Sequence, residues 1–540
     1  MISRRDFLLS SVATSAGLLS GPASLIAAGK CEGGEPACNA NACYTRMFPK
    51  LARSSSIPKS SNEEGLGKLG ELMMDDGNPE SGDVAPVTAG YTYLGQFIDH
   101  DLTLDITPLE LAKPSAECIR NFRTPFLDLD HLYGGGPSLS PFLYETNGPP
   151  GNERFLIGMT RNRRFNGRDQ KPSADDLPRN SNGIALVGDP RQDENLIIAQ
   201  LHVAFLKFHN RVMCELDKGK KGAVQSVGPA GATQFEQARR LVIWHYQYVV
   251  LNDFLRLLID REVFDDLRRK LTARLGRSEC FQIPIEFSVA AFRFGHSMVR
   301  DLYNMYNDDH ENVSLSCLLA LTGSGSKQLP CEDPGSKDIP FVLPADWVIE
   351  WSHFFLPNPP RPQVNEARRI DTKIAKGLHD LKIETIMQFN AAMANEPQKL
   401  TSPKNILPVR TLWRGARMGL PSGQDIAKAL GIKPLNSEDE IAPAGGLQTD
   451  ILRTYGLDRD TPLWYYILRE AEISKTEGTR LGPVGSRIVG EVIAGALGAD
   501  PNSFLSINPN WKPTLPGRRG EQSDNMAAVL RFAAGKCDRR

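Results

Sequence analysis

The sequence predicts a mainly α fold, built as one large domain with irregular loops and little β structure. Two segments, 194–216 and 235–259, carry apolar residues at helical spacing over many turns. A third helix is predicted over 285–302, an apolar segment that begins after a proline. Alternating strand patterns are few, and no internal repeat of the kind that builds solenoids or propellers is present.

The composition of the 540-residue chain is that of an ordinary globular protein, with 41% hydrophobic and 24% charged residues. Its formal net charge is -1, and its basic residues are scattered rather than clustered. A protein with this balance is not expected to bind nucleic acid or an anionic membrane through its overall charge.

The N-terminal sequence predicts export. Ser3–Leu8 (Ser-Arg-Arg-Asp-Phe-Leu) resembles a twin-arginine signal, and a weakly apolar stretch rich in Ser, Ala and Gly follows as far as Ala28. We therefore predict a signal peptide over 1–30, the twin-arginine export machinery as a partner, and a periplasmic or extracellular location. An uncleaved membrane anchor is the alternative. Because Ser and Gly make the stretch polar, no stable membrane span is expected after signal removal.

Residues 31–84 are rich in Gly, Ser, Asn and Pro and are predicted to form an irregular N-terminal arm, with the main domain over 85–540. Nine cysteines are present. Export permits disulfides, and an odd count leaves at least one thiol unpaired within the chain. The spacing does not decide the pairing, and no Cys/His pattern typical of a metal site is present.

The segment Gly95–Asp101 (Gly-Gln-Phe-Ile-Asp-His-Asp) carries polar groups inside an apolar stretch. Carboxylates beside an imidazole are costly to bury unless they have partners. An exposed helix corner is the simpler interpretation of a lone histidine, but Phe97, Ile98 and Leu102 indicate at least half burial. The segment is therefore a candidate for a buried polar site.

Two further segments contain groups that require a partner. In Arg293–His296 (Arg-Phe-Gly-His) a histidine follows a glycine on an apolar helix, where glycine costs about 1 kcal/mol against alanine. Close approach of a flat or bulky group explains that glycine, although tight helix packing is the commoner cause. In Gly188–Glu194 the acidic residues suit a helix N-terminus, but Arg191 does not and requires an anionic or polar partner.

Oxygen-bearing groups recur along the loop that runs from residue 124 to residue 130. They are the side chains of Thr124, Asp128 and Asp130 and the carbonyl of Phe126. Calcium takes about six to eight oxygen ligands, so the loop could supply part of a calcium site. A solvated turn is the alternative for such a loop taken alone.

Taken together and in order, these segments resemble the animal-type haem peroxidase superfamily, including its bacterial members. The corresponding family motifs are the distal haem motif at Gly95–Asp101, the calcium loop at Thr124–Gly134, the catalytic arginine motif at Gly188–Glu194 and the proximal motif at Arg293–His296. Residues 201–211 are similar to the family's long helix, and residues 413–421, less closely, to a later segment. The resemblance implies a single large peroxidase-like helical domain.

The resemblance implies haem b or a covalently linked haem, with His296 as the proximal ligand of the iron and Arg293 beside the cofactor. The family usually has an asparagine, three residues before an Arg-Gly pair, that accepts a hydrogen bond from the proximal histidine. In this sequence Thr411 stands at that position.

The resemblance also implies the catalytic residues. His100 would be the distal base that moves the peroxide proton, and Arg191 would stabilise the negative charge that develops as the O–O bond breaks. Gln96, one helical turn before His100, would contact the distal water or a halide.

Asp99 and Glu194 match two carboxylates that form ester links to haem in the family. A third link comes from a methionine in some members, but Asn195 stands there, so that link is not expected. His202 and His209 are predicted to be structural. The calcium ligands implied are those of the loop together with the residue after the distal histidine: Asp101, Thr124, Phe126, Asp128 and Asp130.

The implied activity is that of a peroxidase, which would reduce hydrogen peroxide by way of a high-valent haem and oxidise small organic donors, halides or thiocyanate in a response to oxidative stress. A fatty-acid dioxygenase or cyclooxygenase is one alternative, but it needs a radical-forming tyrosine where Arg293 stands. A non-catalytic adhesion protein on the same scaffold is the other. Loss of His100, Arg191 or His296 would indicate it, and all three are present.

Overall fold

The computed structural model of this protein is mainly α-helical with little β structure, so the predicted fold class is confirmed. It describes residues 43–51, 60–75, 84–107, 119–145, 151–165, 168–219, 227–274, 281–305, 310–322, 341–355, 364–379, 381, 405–443, 445–513, 515 and 524–535. The predicted signal peptide over 1–30 and much of the predicted arm over 31–84 lie outside these residues.

The longer α-helices are α1 (Ser60–Leu72), α2 (Gly90–Leu102), α3 (Leu196–Asp217), α4 (Gln234–Val249), α5 (Arg261–Arg274), α6 (Leu407–Arg417), α7 (Gly423–Ala429), α8 (Leu447–Thr454), α9 (Leu463–Glu472), α10 (Pro483–Ala499) and α11 (Met526–Ala533). Shorter α-helices are Asp130–Tyr133, Gly136–Leu139, Leu255–Leu258, Leu315–Ala320 and Phe504–Ile507.

Other helical turns connect these elements. The 3-10 helices are Pro49–Leu51, Pro141–Leu143, Pro190–Asp193, Ala291–His296, Ala345–Trp347, Trp351–His353 and Lys376–Leu378. The π-helices are Val250–Phe254, Glu286–Ala290 and Ser437–Ile441. Among the residues that the structure describes, six short strands form three antiparallel pairs: β1 (Val84–Thr88) with β6 (Glu366–Arg368), β2 (Arg163–Phe165) with β3 (Arg168–Gln170), and β4 (Leu302–Tyr303) with β5 (Val313–Ser314).

The two long helices predicted from apolar periodicity are confirmed, and local signals explain where they begin. At the start of α3 the Asn195 side chain accepts a hydrogen bond from the Ile198 amide at 2.9 Å. At the start of α4 Thr233 and Glu236 form a capping box. A π-helical turn then carries the chain from α4 into Leu255–Leu258.

The predicted third helix over 285–302 is wrong in type and in extent. The chain forms the π-helix Glu286–Ala290 and then the 3-10 helix Ala291–His296. The Trp464 indole donates to the Arg293 carbonyl at 3.0 Å, and the Ser297 amide donates to the Phe294 carbonyl instead of continuing an α-helical ladder. The element therefore ends at His296, and residues 302–303 belong to β4.

The prediction of irregular structure for residues 31–84 is wrong for α1. Its Leu66 and Leu69 are buried in the main core, which includes residues from Tyr44 to Ala533. A Cβ on Gly65 would lie 2.5 Å from Tyr455, and one on Gly70 2.8 Å from Val409. The glycines that suggested a loop are thus the points where α1 packs closely on the rest of the fold.

Three cysteines fall within the described ranges. Cys43 is a free thiol, whereas Cys214 and Cys317 are disulfide-bonded. The other six, including Cys31 and Cys118, lie outside those ranges. In the part of the chain that the structure covers, none of the helices is both long and apolar enough to cross a membrane.

Candidate active site

A cavity of about 420 Å³ lies between α2 and the 3-10 helix Ala291–His296. Side chains at positions 96, 99 and 100 share one face of α2, because residues three and four apart are neighbours on a helix. The cavity brings together most of the predicted catalytic and cofactor residues, namely Gln96, Asp99, His100, Arg191, Glu194, Arg293 and His296. His202 and His209, predicted to be structural, do not line it.

Arg191 is fixed by a carboxylate two residues before it. Its Nη2 and Nε donate to Asp189 at 2.8 and 3.1 Å, and Nη2 also donates to the His100 carbonyl at 3.1 Å. Burial by itself would raise the pKa of Asp189, but the Arg191 guanidinium holds that pKa well below its usual range. Asp189 is the anionic partner that the sequence requires, and it leaves Arg191 Nη1 3.9 Å from Asp99 at the cavity.

The distal side of the cavity is a connected polar cluster. Gln96 donates through its amide to the Glu194 carboxylate and accepts a hydrogen bond from Asn195 at 3.4 Å. Nε2 of His100 lies 3.4 Å from Glu194 Oε1, so this ring nitrogen is directed at the cavity. The other ring nitrogen, Nδ1, lies 3.1 Å from the Gln192 amide.

On the opposite side, His296 lies at the end of its 3-10 helix with its ring 5.9 Å from that of Trp464. Burial, together with the charge of Arg293, lowers the pKa of His296 to about 3, so the imidazole is neutral with a free lone pair. Its buried Nδ1 has no hydrogen-bond partner among the described residues.

The Thr411 hydroxyl is not hydrogen-bonded to His296 in this structure. Its hydroxyl is buried and unpartnered within the described ranges, and the residue lines a separate small cavity with Gly415 and Trp464. Thr411 therefore lies near the π-helix Glu286–Ala290 but forms no hydrogen bond to His296.

A second cluster of polar groups lies on the loop of residues 124–130. Thr124 donates through its hydroxyl to Asp128 at 2.7 Å and through its amide to Asp130 at 3.0 Å. Leu129 adopts a left-handed conformation with φ 56°, which is uncommon for a residue with a branched side chain and turns the loop between the two aspartates. Phe126 lies on the same loop.

Asp101 joins this cluster from α2. One ligand atom each of Asp101, Asp130 and His131 lie within 4.8 Å of one another, and Asp101 Oδ2 is buried without a partner among the described residues. Burial, then the charges of neighbouring carboxylates, raise the pKa values of Asp101 and Asp128, and burial raises that of Asp130. A bound cation would stabilise the ionised forms of these three carboxylates.

Two residues near these clusters were not identified from the sequence. Gln192 occupies an unspecified position of the arginine motif, and His131, whose Nδ1 lies 3.0 Å from Asp101 Oδ1, follows the last aspartate of the loop. Their adjacency to motif residues was the available signal, but neither contact can be derived from spacing along the chain.

Known proteins similar to this chain include several peroxidases. Residues 110–322 match the family model described as animal haem peroxidase. Lactoperoxidase of Mesocricetus auratus is 27% identical over 202 residues, which are 35% of this chain and 26% of that protein. Chorion peroxidase of Drosophila melanogaster is 27% identical over 205 residues, 34% of this chain and 23% of that protein. The matched segment thus spans about a quarter of the length of these relatives.

Solved structures are similar over most of the chain. Peroxidase A from Dictyostelium discoideum superposes with a TM-score of 0.54 at 15% identity, covering 92% of this chain and 94% of that one. Fatty acid alpha-dioxygenase of Oryza sativa gives a TM-score of 0.55 at 13% identity, covering 92% and 79%. At these identities the likeness concerns the fold.

Proposed function

We propose that residues 85–540 form a haem peroxidase that reduces hydrogen peroxide and oxidises small organic donors, halides or thiocyanate, because residues 110–322 match the animal haem peroxidase family model and similar proteins include peroxidases. One observation carries this proposal. His100, Arg191 and His296 come from three separate elements, and all line a single cavity. This is the set of groups that peroxide cleavage on a histidine-ligated haem requires.

The residues present fit a haem. His296 offers a neutral imidazole, the form that binds iron. Arg293 is half-buried at the cavity, and no carboxylate of the described residues forms an ion pair with it. Arg410 and Arg414 line the same cavity. Arg414 already pairs with Asp105, so Arg293 is the cation that best suits a haem propionate, since a desolvated charge requires a partner.

Bound haem would supply an iron that binds peroxide and accepts its oxidising equivalents. Nε2 of His100 would take the proton from one peroxide oxygen and return it to the other, which then leaves as water. Arg191, held by its hydrogen bonds to Asp189, would stabilise the negative charge on the departing oxygen. Gln96 would orient the distal water or a halide beside His100.

We propose that Asp99 and Glu194 attach the haem covalently through ester links. Both carboxylates line the cavity, and Glu194 lies close to His100 Nε2. Esterification of Glu194 would remove its negative charge from beside that nitrogen. Acid–acetone extraction tests this, because haem that is fully extracted contradicts covalent attachment.

We propose that calcium binds Asp101, Thr124, Phe126, Asp128 and Asp130. The crowded buried carboxylates support this, because calcium prefers oxygen ligands and would relieve their mutual repulsion. Since Asp101 adjoins His100, the ion would fix the distal base. We also propose export through the twin-arginine machinery, on the strength of the sequence at Ser3–Leu8. Lysine substitutions of Arg4 and Arg5 should abolish it.

Stopped-flow mixing of the haem-loaded protein with hydrogen peroxide tests the peroxidase proposal. We expect the Soret band to change on mixing with peroxide and to return to its resting form when iodide or a phenol is added. His296→Ala should lose the Soret band, and His100→Ala should keep the band but lose the rapid change. His310→Gln, which alters a histidine outside the cavity, is the matched control. Oxygen uptake with a fatty acid and no added peroxide would support a dioxygenase instead.

A further inference from the structure

Tyr91 combines a position on the cavity with a proton acceptor. It lines the cavity from the first turn of α2. Its hydroxyl donates to the Asp253 carboxylate and lies 2.9 Å from each of the two carboxylate oxygens. Asp253 lies in the π-helix Val250–Phe254, and one of its oxygens also accepts from the Met526 amide at 2.9 Å. Single π-helical turns inside α-helices are frequent at functional sites.

Aromatic rings connect Tyr91 to the protein surface. The Tyr91 ring lies 5.3 Å from that of Phe355 at 69°, and the Phe355 ring lies 6.1 Å from that of Trp351. Phe355 is buried, whereas Tyr91 and Trp351 are half-buried; Tyr91 lines the cavity and Trp351 does not, so the path leads from the cavity outward to Trp351. Both centroid distances lie within the range of about 4.5–7 Å that is usual for aromatic contacts, so the three rings form a continuous path.

A close approach of two backbones holds this path together. The Gly90 amide, at the start of α2, donates to the Phe354 carbonyl at 3.0 Å. A Cβ on Gly90 would lie 2.3 Å from that carbonyl and 2.6 Å from the Phe355 ring. Only glycine therefore allows the segment that carries Phe355 and Trp351 to lie against the helix that carries Tyr91.

We propose that Trp351 is a second site of donor oxidation, at which aromatic or protein donors too large for the cavity give up electrons that reach the haem through Tyr91. This inference rests on the proposed peroxidase function. A porphyrin would fill most of a cavity of about 420 Å³. Large donors would therefore have no direct contact with the oxidised centre and would need a site at the surface.

The transfer balances in electrons and protons. Once peroxide has oxidised the cofactor, one electron leaves Tyr91 for it, and the phenolic proton moves to the Asp253 carboxylate, which leaves a neutral tyrosyl radical. An electron from Trp351 then reduces that radical, and Asp253 returns the proton to the Tyr91 oxygen. The Trp351 radical cation takes an electron from the donor, and an oxidised phenol or aryl amine releases its own proton to water.

The ionisation states of Tyr91 and Asp253 favour these steps. Burial and the Asp253 charge raise the pKa of Tyr91 well above its usual range, so the phenol is neutral and must release its proton when oxidised. Burial raises the pKa of Asp253 to about 6, so it is mostly ionised at neutral pH and can accept that proton.

Two other aromatic residues lack these features. Tyr93 also lines the cavity, but its ring packs on that of Tyr303 at 5.8 Å. The Tyr303 phenol accepts a proton less readily than a carboxylate does. Trp413 is half-buried like Trp351, but the Arg417 guanidinium lies over its ring at 5.7 Å and opposes a positive charge there. Trp413→Phe is therefore the matched control for Trp351→Phe.

Spin trapping followed by peptide mass spectrometry tests the assignment without reference to activity. The haem-loaded protein is mixed with peroxide and a nitroso spin trap, and the adducts are located by sequence. We expect adducts on Tyr91 and Trp351 and none on Trp413. Tyr91→Phe keeps the ring but removes the hydroxyl, so the Trp351 adduct should fall to the level seen without peroxide. An unchanged Trp351 adduct in that variant overturns the path.

Reduced cytochrome c provides a donor that cannot enter the cavity. Its peroxide-dependent oxidation is compared in each variant with iodide oxidation, which takes place inside. We expect the ratio of the two rates to collapse in Trp351→Phe and in Tyr91→Phe, and to be unchanged in Trp413→Phe. A protein that neither binds haem nor consumes peroxide overturns both proposals. One that consumes peroxide and shows no adduct on Trp351 overturns this inference alone.

Discussion

The Gln192 amide nitrogen lies 3.1 Å from Nδ1 of His100, and both side chains are buried. Gln192 Oε1 is buried without a partner among the described residues. Rotating the amide by half a turn would place that oxygen at Nδ1, where it would accept the ring N–H. The proton would then stay on Nδ1, and Nε2 would present its lone pair to the cavity.

Replacing Gln192 with leucine should therefore slow the reaction with peroxide. Loss of one buried hydrogen bond is worth about 1.4 kcal/mol, so we expect about a tenfold lower rate of the Soret change. Gln192→Glu, which keeps an acceptor at Nδ1, should restore most of the rate. A leucine variant with the wild-type rate would show that His100 does not depend on this contact.

Arg191→Lys should keep a positive charge but lose its position. A lysine ammonium cannot bind Asp189 through two nitrogens and also extend toward Asp99 at the cavity. Removal of one preorganised donor to a developing oxyanion costs about a hundredfold or more, so we expect that loss in the rate constant for peroxide, measured by stopped flow. The Soret band at rest should not change, and a shifted band would indicate a wider rearrangement.

Calcium should stabilise the fold through the loop cluster. A ligand at about 100 times its Kd adds about 2.7 kcal/mol to the free energy of unfolding, which denaturant titration with and without EDTA would detect. Asp128→Ala should remove the calcium response and lower peroxidase activity. Glu64→Gln, an equal charge change on an exposed side chain of α1, should leave the response intact. Full activity in Asp128→Ala, with no metal bound, would contradict the site.

The sequence identified residues whose positions follow from local geometry. The face shared by Gln96, Asp99 and His100 follows from helical spacing, and the motif containing Arg191 also contains its partner, Asp189. Residues that act through tertiary packing could not be predicted in this way. The contact of Gln192 with His100 joins elements 92 positions apart.

Helix predictions failed where packing overrides local preference. The glycines of α1 suggested a loop because glycine disfavours helices, yet Gly65 and Gly70 lie where another part of the fold approaches too closely for a Cβ. The helix predicted to continue past His296 ends there, in a segment where the Trp464 indole binds the Arg293 carbonyl. Neither neighbour can be inferred from the local sequence.

Glu470 should make the stability of the protein depend on pH in a defined direction. It is buried and accepts hydrogen bonds from the Val484 and Gly485 amides at the start of α10, at 2.9 and 3.3 Å. Burial raises its pKa to about 8, although these amides oppose the rise. In the unfolded chain a glutamate titrates near 4.3, so between these values folding requires Glu470 to take up a proton.

The stability that the protonated Glu470 contributes is fully present below about pH 4.3 and is lost as the pH rises to about 8, at about 1.4 kcal/mol per pH unit. Glu470→Gln cannot ionise and should abolish this slope, so the variant gains stability relative to the natural protein across that window and the gain levels off above it. Urea unfolding at several pH values measures the difference. Glu472→Gln, on a partly exposed side chain of the same helix, is the control. A difference between Glu470→Gln and the natural protein that does not change with pH would show that Glu470 is ionised in the folded state throughout.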